Sequence, residues 1–441
     1  MREYFENITK ELFKNIKSNE LLIINFDAEE SKFVRLNKGK IRQAGSVKQI
    51  SMTLSLSTKD KRNLKSYVRL NGSFERDIST LIKTLNYLRR ELPDLPKDPY
   101  MMFSTSVHST EISSEKQSTS DVEILEHIMN SATKLDLVGI FSSGSIYTGL
   151  ANSLGQKNWH EDYSFSFDYS IYNKNNNAIK LNYSSKKWNK DDYDFILNKG
   201  IEKLAILSNP EKKITTGEYR VYLEPSALNE IIDMMAWGGF SYKSNKIGTS
   251  PLHLLNKKER KLNELISIDE NIKDGLSANF NSDGFIKPEE ISMIKKGEFR
   301  ESLTSPRSSL EYSVVHNAAS SSEYPSSIDM RAGSISDDKI LEIIDNGIYI
   351  SNLWYLNFSD RNNGRMTGLT RFGCFLVENG KLTAPINTMR FDDSVYSMLG
   401  DNLIGLTSSR ELLIDSGTYE ERSTSSARLP GAIISNFKMT L

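Results

Sequence analysis

Few side chains in this sequence are suited to metal chemistry, and they are scattered. The five histidines are His108, His127, His160, His253 and His316, and no two lie within one helical turn of each other. A zinc peptidase helix needs two imidazoles on one face, as in His-Glu-x-x-His, so that both reach one ion. His160 is followed by Glu161, but Ser164 and Phe165 stand where a second imidazole would fall. His160 is expected at the turn into a strand, as a partly exposed structural residue. The single thiol, Cys374, lies in the apolar run Phe372–Val377 and is expected to be buried and inert. One cysteine makes neither an internal disulfide nor a multi-cysteine metal site.

Three further patterns fall short. Gly144-Ser145-Ile146-Tyr147-Thr148-Gly149 approaches a phosphate-binding loop, but the next residue is Leu150 and the required lysine is missing. A glycine-containing turn between strands is expected there. Asn279–Glu290 has the register of a calcium loop, with Gly284 sixth, Ile286 eighth and Glu290 twelfth. Asn279 opens it without a carboxylate, Pro288 interrupts the exit helix, and no second loop pairs with it. A polar turn joining two strands is expected instead. No Gly-x-Ser-x-Gly elbow supports serine hydrolysis. The residues alone therefore assign no catalytic and no metal-binding side chain.

The 441 residues suggest two or three domains. The net charge of −1 gives no overall electrostatic reason to coat nucleic acid or an anionic membrane. The most apolar windows, Leu21–Phe26 and Ile231–Phe240, are far short of the roughly 20 residues that a membrane span needs. The N-terminus has no signal-peptide pattern, and a cytoplasmic protein is expected. Tyr4, Ile8, Leu12 and Ile16 recur every fourth position, predicting a first helix. Strands are predicted at Leu21–Phe26, Phe33–Leu36 and Ile41–Leu56, with a hairpin near Gly39. A helix follows at Glu75–Arg90, then a stiff connector with Pro93, Pro96 and Pro99, and loop over 102–120. Helices are predicted at Asp121–Lys134 and at Asp191–Leu207, the latter with Ile196, Leu197, Ile201, Leu204 and Leu207 inward. The polar stretch Ser208–Gly217 divides the chain into an N-terminal α+β domain, 1–212, with a linker at about 92–120 inside it, and a strand-rich α+β domain, 213–441. The second half opens with a strand at Tyr219–Leu223 and a helix from Ser226. Glu378-Asn379-Gly380 between strand-like runs predicts a further hairpin. The fold class is α+β with antiparallel sheets in both halves.

Several stretches resemble the TldD/PmbA family, historically called modulators of DNA gyrase. Lys40-Ile41-Arg42-Gln43-Ala44-Gly45-Ser46 resembles part of that family's first hairpin, and Asn152-Ser153-Leu154-Gly155 its Asn-Ser-x-Gly segment. Phe280-Asn281-Ser282-Asp283-Gly284 is similar to its Phe-Asp-x-Glu-Gly turn. Gly347-Ile348-Tyr349-Ile350, Thr367-Gly368 and Val377-Glu378-Asn379-Gly380-Lys381 resemble later strands and a hairpin.

The resemblance implies a two-domain α+β protein that pairs into dimers from two kinds of subunit. TldD-type chains carry His-Glu-x-x-x-His on a helix early in the C-terminal domain, and a cysteine near the C-terminus as third zinc ligand. Here that helix reads Leu228-Asn229-Glu230-Ile231-Ile232-Asp233-Met234, and Ser416–Leu441 contains no cysteine. The chain therefore resembles the PmbA/TldE type, with no cofactor of its own and zinc in the partner. Glu230 is expected to be a solvated charge near the helix start. The implied function is that of the zinc-less subunit of a heterodimeric metallopeptidase acting on unfolded peptides, inactive alone. The implied partner is a TldD-type chain or a second copy, and neither nucleic acid nor membrane is a partner. Two alternatives stay open: a stand-alone hydrolase with an unrecognised site, and a gyrase-modulating interaction protein. Trp, Tyr and Arg dominate interface energetics, so Asn352, Trp354, Arg365 and Arg371 are the candidates for a peptide groove or subunit interface.

Overall fold

Apolar residues at every second position drive the first half of the chain into long antiparallel strands. The computed structural model describes residues 1–115 and 117–441. It opens with α1 (Arg2–Phe13), β1 (Glu20–Asn37) and β2 (Lys40–Thr58). The runs predicted separately at Leu21–Phe26 and Phe33–Leu36 are one strand, because the residues between them stay paired to neighbours on both sides. Lys38-Gly39 makes the turn. Gly39 has φ +65°, and a Cβ there would lie 2.7 Å from the Ala132 carbonyl oxygen, so only glycine fits.

Next come β3 (Asn63–Leu70), α2 (Phe74–Glu91), β4 (Thr110–Ser113), α3 (Asp121–Ser131), β5 (Asp136–Asn152), β6 (Lys157–Tyr172), β7 (Ala178–Ser185) and α4 (Lys190–Ile206). The strand order is β3-β2-β1-β5-β6-β4, with β7 also on β6. Helices α1 and α2 cover part of this sheet through Phe5, Ile8, Leu12, Leu81, Leu85 and Leu88. Helices α3 and α4 cover another part over an aromatic cluster that includes Phe165, Phe167, Trp188 and Tyr193.

Four local expectations are corrected. Gly144–Gly149 is not a turn but part of β5, which pairs continuously with β6. His160 is buried inside β6 rather than half-exposed at a turn. The loop predicted over 102–120 contains β4, parallel to β6, and its Lys116 lies outside the described residues. On α4 the inward stripe runs through Tyr193, Leu197 and Gly200, leaving Ile201 exposed. Gly200 packs so closely on Leu181 that a Cβ would fall 2.4 Å from its side chain.

The second half contributes β8 (Gly217–Leu223), α5 (Pro225–Ala236), β9 (Ile268–Asn271), β10 (Glu290–Lys295), β11 (Glu298–Phe299), β12 (Ser327–Met330), β13 (Gly347–Asp360), β14 (Arg365–Glu378), β15 (Lys381–Pro385), β16 (Arg390–Ser394), β17 (Leu403–Leu406), β18 (Glu411–Ile414), β19 (Ser426–Leu429) and β20 (Ala432–Met439). One sheet runs β11-β10-β9-β12-β19-β18. The other runs β13-β8-β20-β16-β14-β15, and an added β13–β14 pairing closes part of it on itself. Most pairings are antiparallel; β12–β19 and β13–β8 are parallel. Asn379 and Gly380 turn β14 into β15 with φ +52° and +70°, as an Asn-Gly hairpin requires. Helix α5 is embedded in the large apolar core of this half. Among the described residues, no helix is long and apolar enough to cross a membrane.

The halves interlock. Phe280 inserts among Leu21, Ile23 and Leu150. Phe375 joins the aromatic cluster beneath α3 and α4.

Candidate functional site

Helix α5 starts where Pro225 presets the first-turn backbone, and it stops at Trp237-Gly238-Gly239, where Gly238 has φ +81°. Its inward stripe is Ala227, Leu228, Ile231, Ile232 and Met235, all fully buried. Burying each side chain of Leu or Ile size is worth about 1.5–3 kcal/mol, so the helix is held firmly and its outer face is rigid. That face carries Asn229, Glu230 and Asp233. The Asn229 Nδ2 donates to Asp233 Oδ2 at 3.1 Å.

Both carboxyls reach solvent, yet protein surrounds them. Loss of solvation raises the Glu230 pKa. The same effect, reinforced by the charges of Glu230 and Asp415, pushes Asp233 up to about 7. Tyr324, near Asp233 and Asp415, is pushed up to about 12, again mainly by desolvation. Glu230 is thus not the freely solvated charge expected from its place on the helix. The face can hold a proton near neutral pH or accept a cationic group.

The Asp233 shift has a consequence for stability. A carboxyl whose folded-state pKa lies above its unfolded value costs stability once pH exceeds the unfolded value, and the cost grows until the folded pKa is passed. Asp233→Asn is therefore expected to raise Tm at pH 8 by roughly a degree or two, allowing for solvent screening, with the gain vanishing near pH 4. Paired thermal melts at both pH values check this. An equal shift at both would separate the effect from titration.

The donor set on α5 does not fit zinc. Laying His-Glu-x-x-x-His on Asn229-Glu230 puts Met234 at the second imidazole position, and Met234 is turned into the core. Among the described residues, no three His, Cys, Asp or Glu side chains converge as a metal centre requires. Cys374 is buried, its thiol pushed up to about 11 by desolvation, with backbone carbonyls of Arg371 and Asn352 as its neighbours. His160 packs its Nε2 3.0 Å from the Leu276 carbonyl oxygen, and burial lowers its pKa to about 4.

The calcium-like segment is committed to structure. Asn281 Oδ1 accepts from the backbone N–H groups of Asp283 and Phe285, and its Nδ2 donates to the carbonyls of Ala318 and Ala319. The segment joins β9 to β10, as expected, and docks on the first half through Asn25, Ser104 and Gln156.

The β13–β14 hairpin carries the four candidates but does not unite them. Asn352 and Arg371 face each other across the ladder. The Arg371 guanidinium stacks 4.8 Å from the centroid of the Trp354 ring and 5.2 Å from that of Phe372. Bulges on both strands put Tyr355 and Phe372 at φ +56° and +58°, a strained conformation for aromatic residues. Arg365 lies six residues from Arg371 on the same strand, roughly 20 Å away at strand rise. It is spent on Asp392, through both the carboxylate and the backbone carbonyl. Trp354 and Arg371 line a cavity of about 730 Å³, closed on its other side by Asn175–Ala178 and Leu207–Glu211 from the first half.

One polar cluster has no counterpart in the sequence reading. Lys203 pairs with Glu224, which also accepts from the Tyr349 hydroxyl. Glu411 reaches solvent, yet the protein around it strips enough solvation that, with the charge of Glu224, its carboxyl is pushed up to about 7. These residues line a largely apolar cavity of about 470 Å³ between α4 and the second half. They come from four distant points in the chain, so spacing carried no signal.

A family model described as the PmbA/TldA metallopeptidase C-terminal domain matches residues 216–441. No curated protein matches the sequence. Three solved structures share the fold. One is described as TldE from Thermococcus kodakarensis, with 14% identity, TM-score 0.77, and 99% of this chain and 100% of that chain covered. Another, described as a proposed modulator of a DNA gyrase from Thermotoga maritima, has 15% identity, TM-score 0.74, and 99% and 100% coverage. A third, described in the same way, from Bacteroides thetaiotaomicron, has 17% identity, TM-score 0.73, and 100% and 98% coverage.

Proposed function

This chain belongs to the TldD/PmbA family, and from that membership we propose that it is the TldE-like, zinc-less subunit of a two-subunit metallopeptidase acting on unfolded peptides. The observation that carries the reading is helix α5, where Asn229 on the outer face and Met234 in the core stand in the positions that TldD-type chains fill with histidine. The carboxylates that remain, Glu230 and Asp233, offer no imidazole or thiolate to a zinc ion. The subunit's contribution is then to shape and close a groove opposite its partner's zinc. The cavity edged by Trp354 and Arg371 supplies an aromatic face and a fork of donors suited to peptide carbonyls or a carboxylate. Arg365, bound to Asp392, acts as scaffold.

The test is elemental analysis and a peptidase assay of the chain alone and after co-purification with a TldD-type partner. The chain alone should hold less than one tenth of a zinc per molecule, an order-of-magnitude threshold for a site that lacks its three or four ligands. Peptide cleavage should appear only in the co-purified pair. Stoichiometric zinc in the isolated chain, or cleavage by it, would overturn the assignment and favour a stand-alone hydrolase.

A further inference from the structure

Strand β3 pairs with β2 only over Ile50–Ser57, whereas β1 pairs with β2 along its whole length. The other side of β2 from Lys40 to Lys48 therefore faces no strand. Every residue in that stretch is exposed, including the apolar Ile41 and Val47. At Gly45 an added Cβ would meet nothing within 4 Å. A run of this length with open N–H and C=O groups is a template for another chain, and proteins ordinarily shorten or cover such edges. Glycine inside a strand often marks the close approach of another backbone.

The charge on this edge selects the partner. Between Glu30 and Asp60 the chain contains no Asp or Glu. Lys48 is paired with Glu30 and Lys32 with Asp121. Among the described residues, Arg35, Lys38, Lys40 and Arg42 form no ion pair, which leaves the hairpin tip cationic. A second copy of the chain fits poorly. Antiparallel pairing about Ala44 would set Lys40 opposite Lys48, and like charges directly opposite destabilise a ladder. Nucleic acid would meet the charge but leave the backbone edge unsatisfied.

We propose that the free edge of β2, Lys40–Lys48, takes up an acidic, extended segment of another polypeptide as an added antiparallel or parallel strand. This surface shares no residue with the α5 face or the Trp354–Arg371 cavity and does not rest on the proposed function.

The probe is a labelled peptide of ten residues alternating glutamate and valine, with the lysine–valine peptide and a single-stranded oligonucleotide as comparators. The glutamate peptide should bind the full-length chain, and binding should weaken about tenfold or more in Lys40→Glu/Arg42→Glu and in high salt. Hydrogen exchange should slow at alternate amides within Lys40–Lys48, because every second N–H points to the free edge. Equal binding of the lysine peptide, tighter binding of the oligonucleotide, protection outside this strand, or self-association through it would each overturn the proposal.

Discussion

Arg422→Ala should cost about 2–3 kcal/mol of folding stability, the upper range for removing a charged donor from buried hydrogen-bond acceptors. Arg422 is 7% exposed. It anchors a loop of the second half inside the first. Its guanidinium donates to the Gly144 carbonyl at 3.1 Å and to the Ser164 carbonyl at 2.8 Å, with the Ser164 hydroxyl at 3.0 Å. Its backbone N–H donates to the buried carboxylate of Glu29 at 3.0 Å. Truncation removes the guanidinium donors from the Gly144 and Ser164 carbonyls, while Glu29 keeps the backbone N–H of residue 422 and the Gln49 amide. Lysine is a poor substitute, because a point charge cannot serve both carbonyls through a planar fork. Chemical denaturation measures the loss. Glutamate-specific proteolysis gives a second reading, since Glu420 and Glu421 lie beside the anchor and should be cut faster once it is gone. An unchanged midpoint with unchanged cleavage would show that the loop is held by something else.

The second large effect is on activity. Trp354→Ala with Arg371→Ala should lower peptide hydrolysis by the reconstituted pair roughly 30-fold or more, the equivalent of one hot spot of about 2 kcal/mol. Trp354 is 41% exposed and Arg371 lies over it, so the isolated chain should lose little stability. Arg365→Ala is the control. It breaks a surface pair with Asp392 worth about 0–1 kcal/mol and should leave hydrolysis within a few-fold of wild type. Sedimentation of the pair separates two outcomes: lost assembly places Trp354 and Arg371 at the subunit interface, and intact assembly with lost cleavage places them in the groove. Full activity of the double variant in an assembled pair would return both residues to the ordinary surface.

How much of this was legible in the residues depends on the range of the interaction. Local signals carried their elements. Asn379-Gly380 demanded a tight hairpin because two successive residues with positive φ are needed there. The i, i+3, i+4 stripe through Leu81, Leu85 and Leu88 set α2 to within a residue at each end. The absence of histidine from α5 and of cysteine from Ser416–Leu441 is a property of composition, and no folding could change it. Asn279–Glu290 forms the polar connection between two strands that its composition predicts, although part of what holds it, the Asn281 amide bonds to Ala318 and Ala319, lies outside the segment.

What only the tertiary structure decided involves partners distant in sequence. Gly144 resembled turn punctuation, but it is a point of contact between strands: a Cβ there would stand 2.1 Å from the Glu30 carbonyl oxygen, so the glycine is dictated by β1, more than a hundred residues earlier. Arg365 and Arg371 looked equivalent until strand register gave one to Asp392 and the other to Trp354. Lys203, Glu224, Tyr349 and Glu411 share a cavity because α4 packs against the second half, and no periodicity links their positions. Patterning along a chain reports which face of an element is buried. It does not report against what, and in this protein the charges, the cavities and the interlock between the halves are all set by that second fact.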